Sequence, residues 1–170
     1  MQTIERNYTI KKINEGIESK NIGFDHPMQR KPGQWDNEQQ SLLIHSISAG
    51  FAIPQAYAIM LFENDYDSLS VLDGKQRFTT IYDFMQDRFR LSKNTPVVTS
   101  QKRKVVVDED GNRRQEMITE EYEIAGKCFS ELDESLKTKL DDKSIVITLL
   151  VNCTDEDIEE QFYRLNNGTA

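Results

Sequence analysis

Lys75 and Arg77 fall close together in the stretch "VLDGKQRFTT", residues 71–80, at what reads as the first turn of a helix following a strand. The amino end of a helix carries partial positive charge, so exposed cations there cost about 0.3–1 kcal/mol each. A bound anion would reverse that cost. The N–H groups of a first helical turn have no acceptor within the helix and bind phosphate well. Gly74, just ahead of them, lets a ligand come close to the backbone. Arg77 can grip a phosphate through two parallel hydrogen bonds, Lys75 adds a point charge, and Thr79 or Thr80 can add a hydroxyl. A second reading stands beside this one: an ordinary strand-to-helix turn, capped by Asp73, with both cations in solvent. Solvation is strong enough to absorb a penalty of that size. The spacing of a Walker A loop, GxxxxGK[ST], is absent.

Three other stretches carry chemistry-bearing residues. "MQRKPGQW", residues 28–35, is bounded by Pro27 and contains Pro32 and Gly33, which predicts an extended loop holding Gln29 and Arg30. Trp35 beside it is either an anchor for the next helix or a surface on which a base or Arg30 stacks. "FYRLNNGT", residues 162–169, is either a plain helix end at Asn167-Gly168 or a place where Asn166 and the Gly168 backbone face a ligand. "TDEDIEE", residues 154–160, reads as a solvated helix start, with Glu159 or Glu160 as the candidate to turn inward toward a metal ion.

The elements that must position these residues follow from periodicity. Ile10, Ile13 and Ile17 lie at helical spacing, and "NIGF" suits a short strand after them. Asp36 with Gln39 predicts a capping box opening a helix that carries Leu43, Ile44 and Ile47 and closes at Gly50. "AYAIMLFE", residues 56–63, and "SLSVLD" read as two strands of an antiparallel hairpin, and the helix after them carries a core stripe of Phe78, Ile81, Tyr82 and Met85. Residues 92–127 hold two β-prone runs around Asp110-Gly111 without a strong core face, and so predict a hairpin insertion. A short helix in "SELDESLKTKL" precedes "SIVITLLV", the most apolar strand and one suited to a central position. Thr154 and Asp157 then predict an acidic capping box for a final helix. The sum is an α+β fold: one domain with a small mixed sheet, packed helices and a β-hairpin excursion.

Composition narrows the function classes. The chain has 170 residues and a formal net charge of −8, so the domain as a whole is not steered onto nucleic acid. DNA contact would need a local basic patch, for which "QKRK", residues 101–104, with Arg113 and Arg114 is the candidate; a solvated loop is the other reading. The longest apolar run, residues 145–151, is too short to span a bilayer, and the amino end lacks the apolar stretch of a signal peptide, so a cytoplasmic location without membrane contact is expected. Cys128 and Cys153 read as small semi-buried residues, and neither they nor His26 and His45 have metal-ligand spacing.

Taken in order, "MQRKPGQW", "LIHSISAGFAIP", "VLDGKQRFTTI" and "EEQFYRLNNGT" resemble the family called domain of unknown function 262, the N-terminal domain of GmrSD-type restriction systems, over roughly residues 8–170. The resemblance implies a ParB/sulfiredoxin-like fold. It further implies a nucleoside triphosphate held at the strand–turn–helix and a magnesium or other divalent ion, with triphosphate hydrolysis in bacterial defence against phage or modified DNA. By it, Asp73, Gly74, Gln76 and Arg77 fall on the hallmark DGQQR motif, Gln29 and Arg30 on the upstream QR motif, and Asn166 and Gly168 on the downstream asparagine–glycine motif. Asp73 and Arg77 are then the catalytic candidates; Gly74, Lys75, Gln76, Thr79, Gln29, Arg30, Asn166 and Gly168 are the nucleotide-binding ones. Two departures stand out: Lys75 for the family's usual glutamine and Phe78 for its usual leucine. With His26 and His45 as its only histidines, the chain has no HNH nuclease site. It reads as the N-terminal part of a longer protein, with DNA contact left to a further domain or to the basic hairpin, and with a homodimer left open. A non-catalytic module binding DNA or protein through a degenerate nucleotide site is the alternative.

Overall fold

The computed structural model describes residues 1–27 and 34–168. In chain order the elements are β1 (Gln2–Thr9), α1 (Ile10–Glu18), β2 (Ile22–Gly23), α2 (Asn37–Ala49), β3 (Ala56–Met60), β4 (Leu69–Asp73) and α3 (Lys75–Met85). There follow β5 (Val98–Val107), β6 (Arg113–Tyr122), a 3-10 turn (Phe129–Glu131), α4 (Glu134–Asp142), β7 (Ser144–Val151) and α5 (Asp155–Asn166). The fold is α+β, as expected.

Five strands form one mixed sheet in the order β1-β7-β3-β4-β2. β7 lies inside it, antiparallel to β1 and parallel to β3. Its side chains enter clusters on both faces, Ile145, Ile147 and Leu149 on one and Leu150 on the other, which is why it reads as a continuous apolar run. β1 was not anticipated: "QTIERNYT" has a single fully buried side chain, Tyr8, and as an edge strand needs little more. Its conformation is imposed by eight residue pairs with β7, from Gln2↔Val151 to Thr9↔Ser144. β3 ends three residues earlier than its composition predicts. The Asp65 carboxylate accepts from the N–H groups of Asp67 and Ser68 and ties the chain into a turn, leaving Leu61 and Phe62 exposed.

Alternation along the strands sorts the core. Ala56, Ala58, Met60, Leu69, Val71, Ile145, Ile147 and Leu149 face α1, α2, α3 and α4 in one continuous cluster. On the opposite face Leu72 and Leu150 meet Ile158 of α5 in a small second cluster. At about 1.5–3 kcal/mol for each large apolar side chain fully buried, the first face carries nearly all the hydrophobic stabilisation, and α5 is lightly held. The capping boxes at Asp36/Gln39 and Thr154/Asp157 are both formed, and Gly50 closes α2 in the left-handed region. Of the expected stripe on α3, Phe78 and Ile81 are buried, while Tyr82 and Met85 are half-buried and Phe84 takes the remaining core position.

β5 and β6 form a separate two-stranded ribbon, in register from Val98↔Tyr122 to Val107↔Arg113. The Asp108 carboxylate closes its tip by accepting from the N–H groups of Asp110 and Asn112. Val98 and the nearby Ile124 root the ribbon in the core, whereas Val105, Val107 and Met117 stand in solvent.

α3 is braced from below by Phe84, whose ring lies 5.4 Å from that of Phe89 and 6.1 Å, edge-on, from that of Phe129. The turn bearing Phe129 is fixed by Glu131, which accepts from the Cys128 thiol at 2.9 Å and the Cys128 N–H at 3.3 Å and pairs with Arg90. The Cys128 thiol bond first, then its N–H and Arg90, pull the Glu131 carboxyl down to about 2. A folded-state value below the unfolded one means that the contribution is complete above the ordinary glutamate range and disappears as pH falls through about 2. Glu131→Gln should therefore melt below wild type at pH 7, and the gap in Tm should close as the pH is lowered through the acid range in differential scanning calorimetry.

Candidate anion-binding turn

The β4–α3 turn begins with an irregularity. Ala58 pairs with Val71, but Tyr57 pairs with Asp73, so Leu72 is an extra residue on β4. A bulge of this kind bends a strand end and re-aims the residues after it. Gly74 follows at φ 127° and is buried. A Cβ at Gly74 would lie 2.9 Å from Ala56 Cβ and 3.6 Å from an Arg77 guanidinium nitrogen. The backbone of the turn thus lies directly against the start of β3, at a distance and a φ that only glycine allows.

Gly74 is the N-cap of α3, and among the described residues no side chain caps that end. Thr9, Asp36, Asp133 and Thr154 do cap α1, α2, α4 and α5. The second reading of the turn, in which Asp73 caps α3, is therefore not what forms: the sharp φ at Gly74 separates the Asp73 carboxylate from the helix it precedes. The first bond of the helix runs from the Phe78 N–H to the Gly74 carbonyl at 3.0 Å, so the N–H groups of Lys75, Gln76 and Arg77 precede the ladder.

Arg77 does not extend into solvent. It is half-buried, and one terminal nitrogen donates to the Gln55 carbonyl at 2.9 Å. Its Nε is buried and has no hydrogen-bond partner among the described residues. Burial pushes the guanidinium pKa down, and the nearby Asp73 charge partly restores it. A buried donor without an acceptor costs about 1–3 kcal/mol, so this arginine is held in a place that hydrogen bonding within the protein does not fully satisfy. Lys75 is exposed, Gln76 half-buried and Thr80 buried. The Thr79 hydroxyl donates to the Lys75 carbonyl at 2.7 Å, which leaves only its oxygen lone pairs toward a ligand.

The other expected residues are distributed as follows. Gln29 and Arg30 lie outside the described residues. Asn166 and Gly168 are exposed at the end of α5. Trp35 packs half-buried against the core beside the α2 cap, which favours its role as an anchor. Glu159 and Glu160 are exposed rather than inward, and Glu160 accepts from Arg164 at 2.7 Å. Among the described residues no group of three or more His, Cys, Asp and Glu could hold a metal ion by itself. Asp73 is the carboxylate at the turn. Magnesium is commonly held by one or two carboxylates together with water and substrate phosphates, so this donor set fits it only alongside a phosphate ligand.

Three further residues join the site that local sequence did not single out. Gln55 supplies the carbonyl for Arg77, while its side chain donates to the Tyr57 hydroxyl at 2.9 Å and accepts from the Thr148 hydroxyl at 3.2 Å. Tyr57 stands in register between Thr148 of β7 and Asp73 of β4. A polar pair, Tyr57 and Thr148, on otherwise apolar adjacent strands is the signal that could have found them, but only once the strand register is known.

A family model described as "GmrSD restriction endonuclease, N-terminal domain" matches residues 10–170. The chain belongs to that family. The match takes in α1 through α5, and β1 falls outside it. No curated protein and no solved structure matches the chain. As a GmrSD N-terminal domain it is associated with restriction systems, and among its described residues no helix is long and apolar enough to cross a membrane. The DGKQR turn of this GmrSD N-terminal domain depends on Gly74. Gly74→Ala should lose stability by about 1–3 kcal/mol from backbone strain, with the Ala56 contact adding to it, read as a lower urea midpoint at unchanged slope.

Proposed function

We propose that this domain binds the phosphates of a nucleoside triphosphate at the β4–α3 turn and hydrolyses the triphosphate with a divalent metal ion, within a bacterial restriction or phage-defence system. The carrying observation is Arg77: half-buried, anchored through one nitrogen to Gln55, with a buried Nε that has no acceptor among the described residues, at the end of α3 that none of them caps. A phosphate oxygen is the acceptor that such a donor and the adjoining N–H groups suit best.

In this reading the backbone after Gly74 cradles the phosphates. Arg77 and Lys75 stabilise charge on the phosphoryl group being transferred, a contribution made mainly by position and electrostatics. Asp73 is the residue that would hold magnesium, whose charge would offset that of the phosphates. Gln76, the Thr79 oxygen, Gln29, Arg30, Asn166 and Gly168 complete the binding set through the family motifs on which they fall. Lys75, where the family usually has glutamine, adds charge and so favours the more anionic ligand.

The test is calorimetric titration with the four ribonucleoside triphosphates and magnesium, together with a phosphate-release assay. Arg77→Ala should abolish binding, and Arg77→Lys should restore only a minor part, because an ammonium lacks the Nε donor and the planar fork. Lys75→Gln should weaken binding several-fold and flatten its salt dependence. Wild-type protein that neither binds nor cleaves any triphosphate defeats the proposal.

The ribbon supports a second reading, in which Lys102, Arg103, Lys104, Arg113 and Arg114 contact DNA without catalysis. The observation behind it is that these side chains lie exposed on a two-stranded ribbon, an element that the major groove admits. Two of them, Lys102 and Arg114, are paired with Glu120 and Glu116, and Asp108, Glu109 and Asp110 make the tip acidic. Duplex DNA affinity that falls steeply with salt, and that disappears when the five cations are neutralised, would favour this reading.

A further inference from the structure

We propose that Tyr57 is an additional ligand-contacting residue of the β4–α3 site, donating its phenolic proton to a phosphate oxygen of the nucleotide, and that Gln55 is the positioning residue that aims it. This rests on the phosphate-binding reading of the turn and adds residues that lie outside the DGKQR, QR and asparagine–glycine motifs.

Gln55 is the hub. Its carbonyl oxygen accepts from Arg77 at 2.9 Å, its side-chain nitrogen donates to the Tyr57 hydroxyl at 2.9 Å, and its side-chain oxygen accepts from the Thr148 hydroxyl at 3.2 Å. Thr148 is 7% exposed, so its hydroxyl fixes which end of the Gln55 amide faces β7 and turns the NH2 toward Tyr57. A phenol has one proton to give as well as lone pairs to accept. Because the Tyr57 oxygen accepts from Gln55, its own proton remains, and no acceptor takes it among the described residues.

Among the described residues two donors without acceptors therefore belong to side chains that Gln55 holds: the Tyr57 O–H, whose oxygen accepts from the Gln55 amide, and the Nε of Arg77, whose terminal nitrogen donates to the Gln55 carbonyl. Both adjoin the same turn, since Tyr57 is paired with Asp73 and Arg77 lies one helical turn after Gly74. The Nε–H of Arg77 and the Tyr57 O–H are both donors that no described residue takes up, and beside a guanidinium an acceptor-rich anion suits them better than a cationic ligand. The sheet face bearing Tyr57 is also the one that α5 covers only lightly, so the phenol is half-buried and open to a ligand.

The experiment titrates the full chain with each of the four ribonucleoside triphosphates and with inorganic tripolyphosphate, in magnesium, for wild type, Tyr57→Phe, Gln55→Ala and the double variant. Tyr57→Phe should bind both the preferred triphosphate and tripolyphosphate about 10–100-fold more weakly, the size of one hydrogen bond to a charged acceptor, with Tm unchanged. Gln55→Ala should weaken binding as well, and in the Tyr57→Phe background it should add little, because both changes remove the same contact.

If wild type binds and Tyr57→Phe binds equally well, Tyr57 is not a ligand contact and this inference falls while the phosphate site stands. Weakening for the nucleotide but not for tripolyphosphate overturns the assignment to phosphate. Additive losses in the double variant overturn the positioning role of Gln55. A fall in Tm for Tyr57→Phe that accounts for its loss of binding overturns the contact in favour of a structural role. Wild type that binds neither nucleotide nor tripolyphosphate removes the site and this inference together.

Discussion

The contact between Gly74 and Ala56 is the constraint on which the site depends. It brings the end of β4 against the start of β3 at a separation that any side chain at position 74 would prevent. That approach sets the direction in which α3 leaves the sheet. It also places Arg77 within reach of the Gln55 carbonyl, and leaves the first N–H groups of α3 without a side-chain cap. The bulge at Leu72 belongs to the same device, because it moves Asp73 into register with Tyr57 immediately before the glycine. A turn with a Cβ at this point would have to move the helix away from the strand, and would lose the anchor for Arg77 with it.

Around that contact the protein tolerates an electrostatically unfavourable arrangement. Two cations sit at the positive end of a helix, one of them drawn out of solvent far enough for burial to lower its pKa. The Asp73 charge compensates in part, and the Gln55 carbonyl takes one donor, but the Nε of Arg77 remains buried and unpaired among the described residues. Folding alone gains little from this geometry. It resembles the local frustration that functional sites commonly carry, where the missing partner is a ligand rather than another part of the chain.

The two faces of the sheet divide the labour. Helices α1 to α4 pack the first face with a continuous apolar cluster, and the aromatic contacts of Phe84 hold α3 from beneath. The second face is covered by α5 through a few side chains around Ile158, and past them the polar pair Tyr57 and Thr148 lies beside the turn. A rigid support on one side and a lightly covered face with the half-buried Tyr57 on the other suit the proposed site. The β5–β6 ribbon is remote from this logic, since only its root shares the core.

Much of this was legible in the sequence because it is local. Capping boxes, glycine at the end of α2, helical stripes, the Asp110-Gly111 hairpin and the apolar run of β7 each depend on residues within a few positions of one another, and all of them are formed. The family motif around Gly74 was legible for the same reason. What the sequence could not determine was whatever depends on contacts between distant segments. β1 exists because β7 offers it an edge, not because "QTIERNYT" has a strand pattern of its own. The Asp73 cap of the ordinary-turn reading gives way to a glycine conformation that lies against Ala56, eighteen positions upstream of Gly74. Gln55 meets Arg77, and Thr148 meets Gln55, only when β3 is laid between β4 and β7, since contacts between distant segments are set by register, and register is a property of the folded sheet.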